Sequence, residues 1–181
     1  MLLSVRKLLL QLLRMHKTMS TVEESVVATP VQTAVRKRPR PGERRVQILQ
    51  ALAAMLQQPG GERITTAALA ARLEVSEAAL YRHFASKAQM FEGLIEFIES
   101  SVFTLINRIV EHKDEGAGSA AANGTQQAMR IVTMVLQFAE RNPGMVKVMV
   151  GDALVFENER LQQRMNLFFD KVEAALRQCL R

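Results

Sequence analysis

Apolar residues recur at helical spacing over almost the whole chain beyond residue 44. Val46, Ile48, Leu49, Leu52, Ala53 and Leu56 lie three and four positions apart, which predicts a helix from Arg44 to Gln57. Gln57-Gln58-Pro59-Gly60-Gly61 ends it, because two glycines and a proline cannot continue a helix cheaply. Ile64 to Phe84 divides into two short helices. Ser86 opens another, with Gln89 three residues on as a capping box. From there Phe91, Leu94, Ile95, Ile98, Val102, Leu105, Ile106 and Ile109 form one apolar stripe. Gly116–Gly124 reads as a small-residue linker, and a further helix is expected from Thr125 to Glu140. The break Arg141-Asn142-Pro143-Gly144 precedes a short apolar helix, Met145 to Val150, and a last one from about Asn158. No alternating strand pattern and no fixed-length repeat interrupts this, so the expected fold class is all-α.

The first 43 residues differ in kind. Residues 1–18 resemble a targeting segment, but the apolar run Leu8–Leu13 is broken by Gln11 and closed by Arg14, too short for a membrane span. The expectation is an upstream start, with initiation at Met19; a basic amphipathic helix lying on a membrane is the alternative. Residues 20–43 are polar, hold Pro30, Pro39 and Pro41, and are expected to form a disordered arm. The expected organisation is a basic extension over 1–43, a first helical domain over 44–90 and a second over 91–181.

Charge sharpens that division. The net charge is +6, yet residues 1–45 carry ten Lys and Arg against three Glu, and the rest of the chain is close to neutral. A basic arm on a neutral body suits a polyanionic partner. The single cysteine, Cys179, excludes a disulfide framework within the chain and any multi-cysteine metal site. His16, His83 and His112 are scattered and have no carboxylate at ligand spacing. With no phosphate-cradling glycine loop, no triad and no paired carboxylates, the reading is a cytoplasmic, non-enzymatic protein without cofactor or metal.

The chemistry concentrates in Ile64–Lys87, ITTAALAARLEVSEAALYRHFASK. Thr66 is expected to cap a helix from Ala67 to Leu73, Glu74-Val75 to turn, and Ser76 to cap a second helix running to Phe84. Leu69, Leu73, Val75, Leu80 and Phe84 supply a small core, with Ala70 at the close crossing. This is helix-turn-helix spacing over 65–84, which holds the second helix out for a major groove and marks 44–90 as the expected DNA-binding domain. Its outward face reads Glu77, Ala78, Tyr81, Arg82, with Ala78 and Ala79 suited to thymine methyls. Thr65, Tyr81, His83 and Lys87 are placed to donate to phosphates. The DNA-facing set is therefore Thr65, Thr66, Ser76, Glu77, Ala78, Ala79, Tyr81, Arg82, His83 and Lys87, joined by Arg40 and Arg44 of the arm.

Val75-Ser76-Glu77-Ala78-Ala79-Leu80-Tyr81-Arg82-His83-Phe84-Ala85-Ser86-Lys87 resembles the TetR-type DNA-binding domain. Glu74 departs from that pattern, since the family's turn usually carries Gly; a left-handed Glu costs about 1 kcal/mol. The stretches RITTAALAARLEVSEAALYRHFASK, MFEGLIEFIE, ERNPG and DALVFENERLQQRMN together are similar to one branch, the nucleoid-occlusion factors. The likeness runs from about Arg44 to Arg181. It implies a three-helix DNA-binding domain and a helical regulatory domain. It also implies a homodimer on palindromic double-stranded DNA and a nucleoid location. The implied partner is the tubulin-like division-ring GTPase, docked between the fourth and fifth helices, with Phe97, Met134, Arg141 and Asn142 carried over as partner-binding. The linker Gly116–Gly124 stands where the branch has a more charged connection. Two further helices supply the dimer interface in that family, so the expectation is a regulatory domain truncated at its C-terminus, dimeric where those helices are present. The alternative function is a transcriptional repressor released by a small ligand, which requires an apolar cavity with convergent polar groups.

Overall fold

The computed structural model describes Gln11 and residues 42–60, 63–112 and 120–181. The arm, with Arg40 and the segment 1–18 apart from Gln11, lies outside the described residues. Among the described residues there are seven α-helices, one short 3₁₀ turn and no strand, as the hydrophobic periodicity predicts. They are α1 (Glu43–Gln57), α2 (Thr66–Arg72), α3 (Glu77–Tyr81), α4 (Lys87–Glu111), α5 (Ala120–Arg141), α6 (Pro143–Met149) and α7 (Glu159–Cys179), with the 3₁₀ turn at Asp152–Leu154.

Helices α1 to α3 close around Ile48, Leu52, Leu56, Leu69, Leu80 and Phe84, all buried. Helix α4, about 37 Å long at 1.5 Å per residue, leaves this unit and becomes the spine of the body. Met90, Phe91, Leu94, Ile95, Ile98, Val102 and Ile106 are its buried face. Leu105, expected in that stripe, instead faces out at 36% exposure. Leu161, Met165, Phe168, Phe169, Val172 and Leu176 of α7 pack on the same core, with Phe168 edge-on to both Phe103 and Phe169.

Several expectations at helix ends need correction. Helix α5 starts at Ala120, so Gly124 is not linker but lies inside the helix. A Cβ on Gly124 would stand 1.9 Å from the carbonyl oxygen of Cys179, a backbone atom that cannot yield. The usual cost of glycine in a helix, about 1 kcal/mol, is thus accepted because α5 and α7 cross there. Gln127, buried on α5, donates to the carbonyls of Val110 (3.1 Å) and His112 (3.3 Å). Those bonds satisfy carbonyls at the C-terminal end of α4 and fix α5 antiparallel to it.

At the other end of α5 the Asn142 amide donates to the Phe138 carbonyl at 2.7 Å, and Pro143 takes the first position of α6. Helix α6 is buried from Gly144 to Met149. It lies directly on α1, where a Cβ on Gly144 would meet the Ala53 carbonyl oxygen at 1.9 Å. Lys147, a buried cation, donates to the Gln58 carbonyl at the end of α1 (3.1 Å). The unit formed by α1 to α3 is therefore joined to the body twice, through α4 and through the α1–α6 contact. No helix among the described residues is long and apolar enough to cross a membrane.

Candidate nucleic-acid interface and a groove on the body

The turn between α2 and α3 carries the one left-handed non-glycine residue among those described, Glu74 at φ 53°. The strain expected there is real, and it is held by bonds on both sides: Glu74 N to Ala71 O (3.1 Å) and Val75 N to Ala70 O (3.0 Å). Ser76 caps α3 as expected, its hydroxyl accepting from Ala79 N at 3.2 Å. The α2 cap is corrected by one residue. Thr65, not Thr66, accepts from Ala68 N at 3.1 Å.

Freed from capping, the Thr66 hydroxyl donates to Glu77 Oε2 at 2.6 Å and accepts from the Tyr81 hydroxyl at 3.4 Å. These three side chains form a polar chain across the outer face of the two helices, holding Glu77 and Tyr81 in fixed orientation. Helix α3 ends at Tyr81 rather than Phe84. His83 and Phe84 therefore sit in the bend that turns the chain into α4. Ala78 and Arg82 are exposed and Tyr81 is 44% exposed, while Ala79 is half-buried. Of the two alanines expected at the groove, Ala78 is the one fully presented.

The cations are placed less uniformly than expected. Arg44 is half-buried and donates to Gln47 Oε1 at 2.9 Å along α1. Arg45 folds back instead of following a backbone. Its guanidinium donates to the His83 carbonyl (2.5 Å) and lies 4.2 Å from the Phe84 ring centroid, pinning the α3–α4 bend to α1. Lys87 is paired with Glu157 Oε1 at 2.5 Å. Arg63, absent from the sequence-based set, stands over the Phe156 ring at 4.9 Å just before α2. It opens the stretch RITTAALAARLEVSEAALYRHFASK, but nothing in its spacing sets it apart from other surface cations. The capping box at Ser86 is also modified: Ser86 accepts from Gln89 N (3.2 Å), but Gln89 Oε1 takes the Ala85 amide (2.9 Å).

On the body, α4 and α5 enclose an open groove of about 940 Å³ lined by Ile109, Thr125, Met129, Arg130, Met134 and neighbouring α5 residues. Met134 is half-buried in it and Met129 is 66% exposed. Phe97, 41% exposed, lies twelve residues before Ile109 on α4, about 18 Å along the axis and about 120° around it, and does not line the groove. Because the helices are antiparallel, Phe97 and the exposed Arg141 belong to the same end of the pair. Asn142 is half-buried and its amide nitrogen is committed to Phe138. Among the described residues no cluster of three His, Cys, Asp or Glu could hold a metal ion. Burial pushes the Cys179 thiol up, which disfavours the reactive thiolate.

Two short capped helices with a strained turn, an outward polar face and flanking cations define a helix-turn-helix DNA-binding protein of the TetR class. Residues 48–94 match the family of bacterial regulatory proteins, tetR family, and residues 125–181 match the tetracyclin repressor-like, C-terminal domain of SlmA-like proteins. The chain is similar to the nucleoid occlusion factor SlmA of Marinomonas sp. (strain MWYL1), 56% identical over 139 residues, covering 77% of this chain and 66% of that protein. The proteins of the same name from Photobacterium profundum and Aliivibrio fischeri (strain MJ11) are 55% identical over 140 residues and 51% over 144. Those matches cover 76% and 79% of this chain and 67% and 69% of theirs. The chain belongs to the nucleoid occlusion factor SlmA family of TetR-type regulators. It spans about two thirds of the length of these relatives.

Proposed function

We propose that this protein binds double-stranded DNA through α2 and α3, as a symmetric dimer on palindromic sites. From there its α4–α5 groove captures the tubulin-like division-ring GTPase and keeps ring assembly off the chromosome. The observation that carries this reading is identity above 50% continuing through the body to proteins named for nucleoid occlusion. TetR-type bodies otherwise differ with their ligands, so a shared body argues for a shared partner. The groove supports it further. It is open along its length and apolar with Arg130 at its margin, a shape for an extended peptide rather than for an enclosed small ligand. Met134 supplies apolar contact within the groove, and the exposed Phe97 and Arg141, outside its lining and towards one end of the helix pair, extend the surface with an aromatic ring and a charge. Bound to DNA, the protein works at the nucleoid, in the cytoplasm.

Sedimentation of ring-GTPase polymers tests this directly. The protein should co-sediment, more strongly with operator DNA, and Met134→Glu should abolish co-sedimentation while DNA affinity stays within about twofold, since a charge buried in an apolar contact is costly. Unchanged co-sedimentation of that variant would rule out the groove. Release of operator DNA by a small ligand, with no polymer binding, would favour the repressor alternative.

The salt dependence of DNA binding supplies a second check. With roughly three to four phosphate contacts per protomer, a dimer should show a log–log slope of about −5 to −7. A slope near zero would exclude a phosphate-tracking interface.

A further inference from the structure

One segment of the body touches two cations that flank the helix-turn-helix. Phe156 lies under Arg63, three residues before the start of α2, and the next residue, Glu157, meets Lys87, the first residue of α4. The Lys87–Glu157 pair is partly enclosed: the side chains are 32% and 9% exposed. Glu157 Oε1 is buried and makes no aligned hydrogen bond, so among the described residues its compensation is the charge of Lys87. Lys87 also lies 5.8 Å from the Phe91 ring centroid.

We propose that Glu157 is a positioning residue that sets DNA affinity by holding the Lys87 ammonium against the body. A phosphate that recruits Lys87 must draw it from a buried carboxylate, leaving that charge uncompensated, which is costly. Affinity is thereby tempered, and it becomes sensitive to any movement of the segment 155–158. Arg63, stacked on Phe156, is held by the same segment. The proposal rests on Lys87 being a phosphate contact, and the experiment separates the two.

DNA affinity is measured for the full chain carrying Glu157→Gln, Lys87→Ala, both together, and Glu159→Gln as a charge control. Glu159 is exposed two residues further on, at the start of α7. Glu157→Gln should tighten binding about three- to tenfold, in keeping with the release of one ion pair per protomer. It should also lower the thermal midpoint, whereas a merely structural residue would lower both. Glu159→Gln should change affinity less than about twofold. Lys87→Ala should weaken binding on all sequences, and Glu157→Gln should add nothing in that background. An equal gain from Glu159→Gln, or a gain that persists without Lys87, would overturn the proposal in favour of a general field effect. If Lys87→Ala weakens binding but Glu157→Gln does not tighten it, the restraint is wrong and the phosphate contact stands. If Lys87→Ala has no effect, both fail.

Discussion

Replacing Gly144 by alanine is expected to destabilise the protein by about 3 kcal/mol or more, at the upper end of overpacking changes. The added methyl would lie 1.9 Å from the Ala53 carbonyl oxygen, 2.9 Å from its carbon and 3.3 Å from Gln57 N. All three are backbone atoms of α1, so no side-chain rotation relieves the clash and the helices must separate. Separation by even an ångström forfeits contacts across the closely packed α6 surface. It also draws Lys147 from the Gln58 carbonyl, so a buried cation loses one of its bonds. Chemical denaturation reads the loss, and the DNA-binding unit should melt ahead of the body. A change below about 1 kcal/mol would show that α1 and α6 are not held as described.

Phe84→Ala is the second large effect, expected to cost about 3 to 5 kcal/mol. Phe84 is 1% exposed, lies against α4 near Gly93, and carries Arg45 on its ring. A Cβ on Gly93 would stand 3.0 Å from its ring edge, so the ring fills its space and α4 cannot advance to replace it. A whole domain is stable by only about 5 to 15 kcal/mol. Losing this much from a unit of three short helices should abolish specific DNA binding while the α4–α7 helices keep their circular dichroism. Arg45→Gln should weaken stability in the wild type and do so less in the Phe84→Ala background, where the ring contact is already gone and only the bond to the His83 carbonyl remains to be lost. Retention of DNA affinity in Phe84→Ala would mean that the α3–α4 bend is held by other contacts.

How much of this was readable in advance varies with the range of the interaction. Ser76 and the Glu74 turn depend on residues three to five positions away, and Leu69, Leu80 and Phe84 fall within one 16-residue stretch, so their spacing states them. The choice of Thr65 over Thr66 as cap did not follow, because adjacent hydroxyls are equivalent until the chain direction entering α2 is known. Gly124 misled for a related reason. In sequence it marks flexibility; in the fold it is the only residue type that admits the Cys179 carbonyl. Arg45 reads as one more of the ten bases within residues 1–45 until the fold returns the His83 carbonyl to it across 38 positions.

The candidate groove divides in the same way. Exposure of Phe97 and Met134 on one helix pair required the antiparallel register of α4 and α5, which Gln127 enforces through bonds spanning 15 and 17 positions. Periodicity, caps and turn chemistry by themselves determined an all-helical chain with a helix-turn-helix at its head, because helices and caps are set by neighbours three and four residues away. Tertiary structure alone decided which cations face outward for DNA and which are held. The hydrogen bond of Lys147 to the Gln58 carbonyl, 89 positions apart, and the ion pair of Lys87 with Glu157 are contacts that only packing brings within reach, since both depend on distance in space and not on separation along the chain.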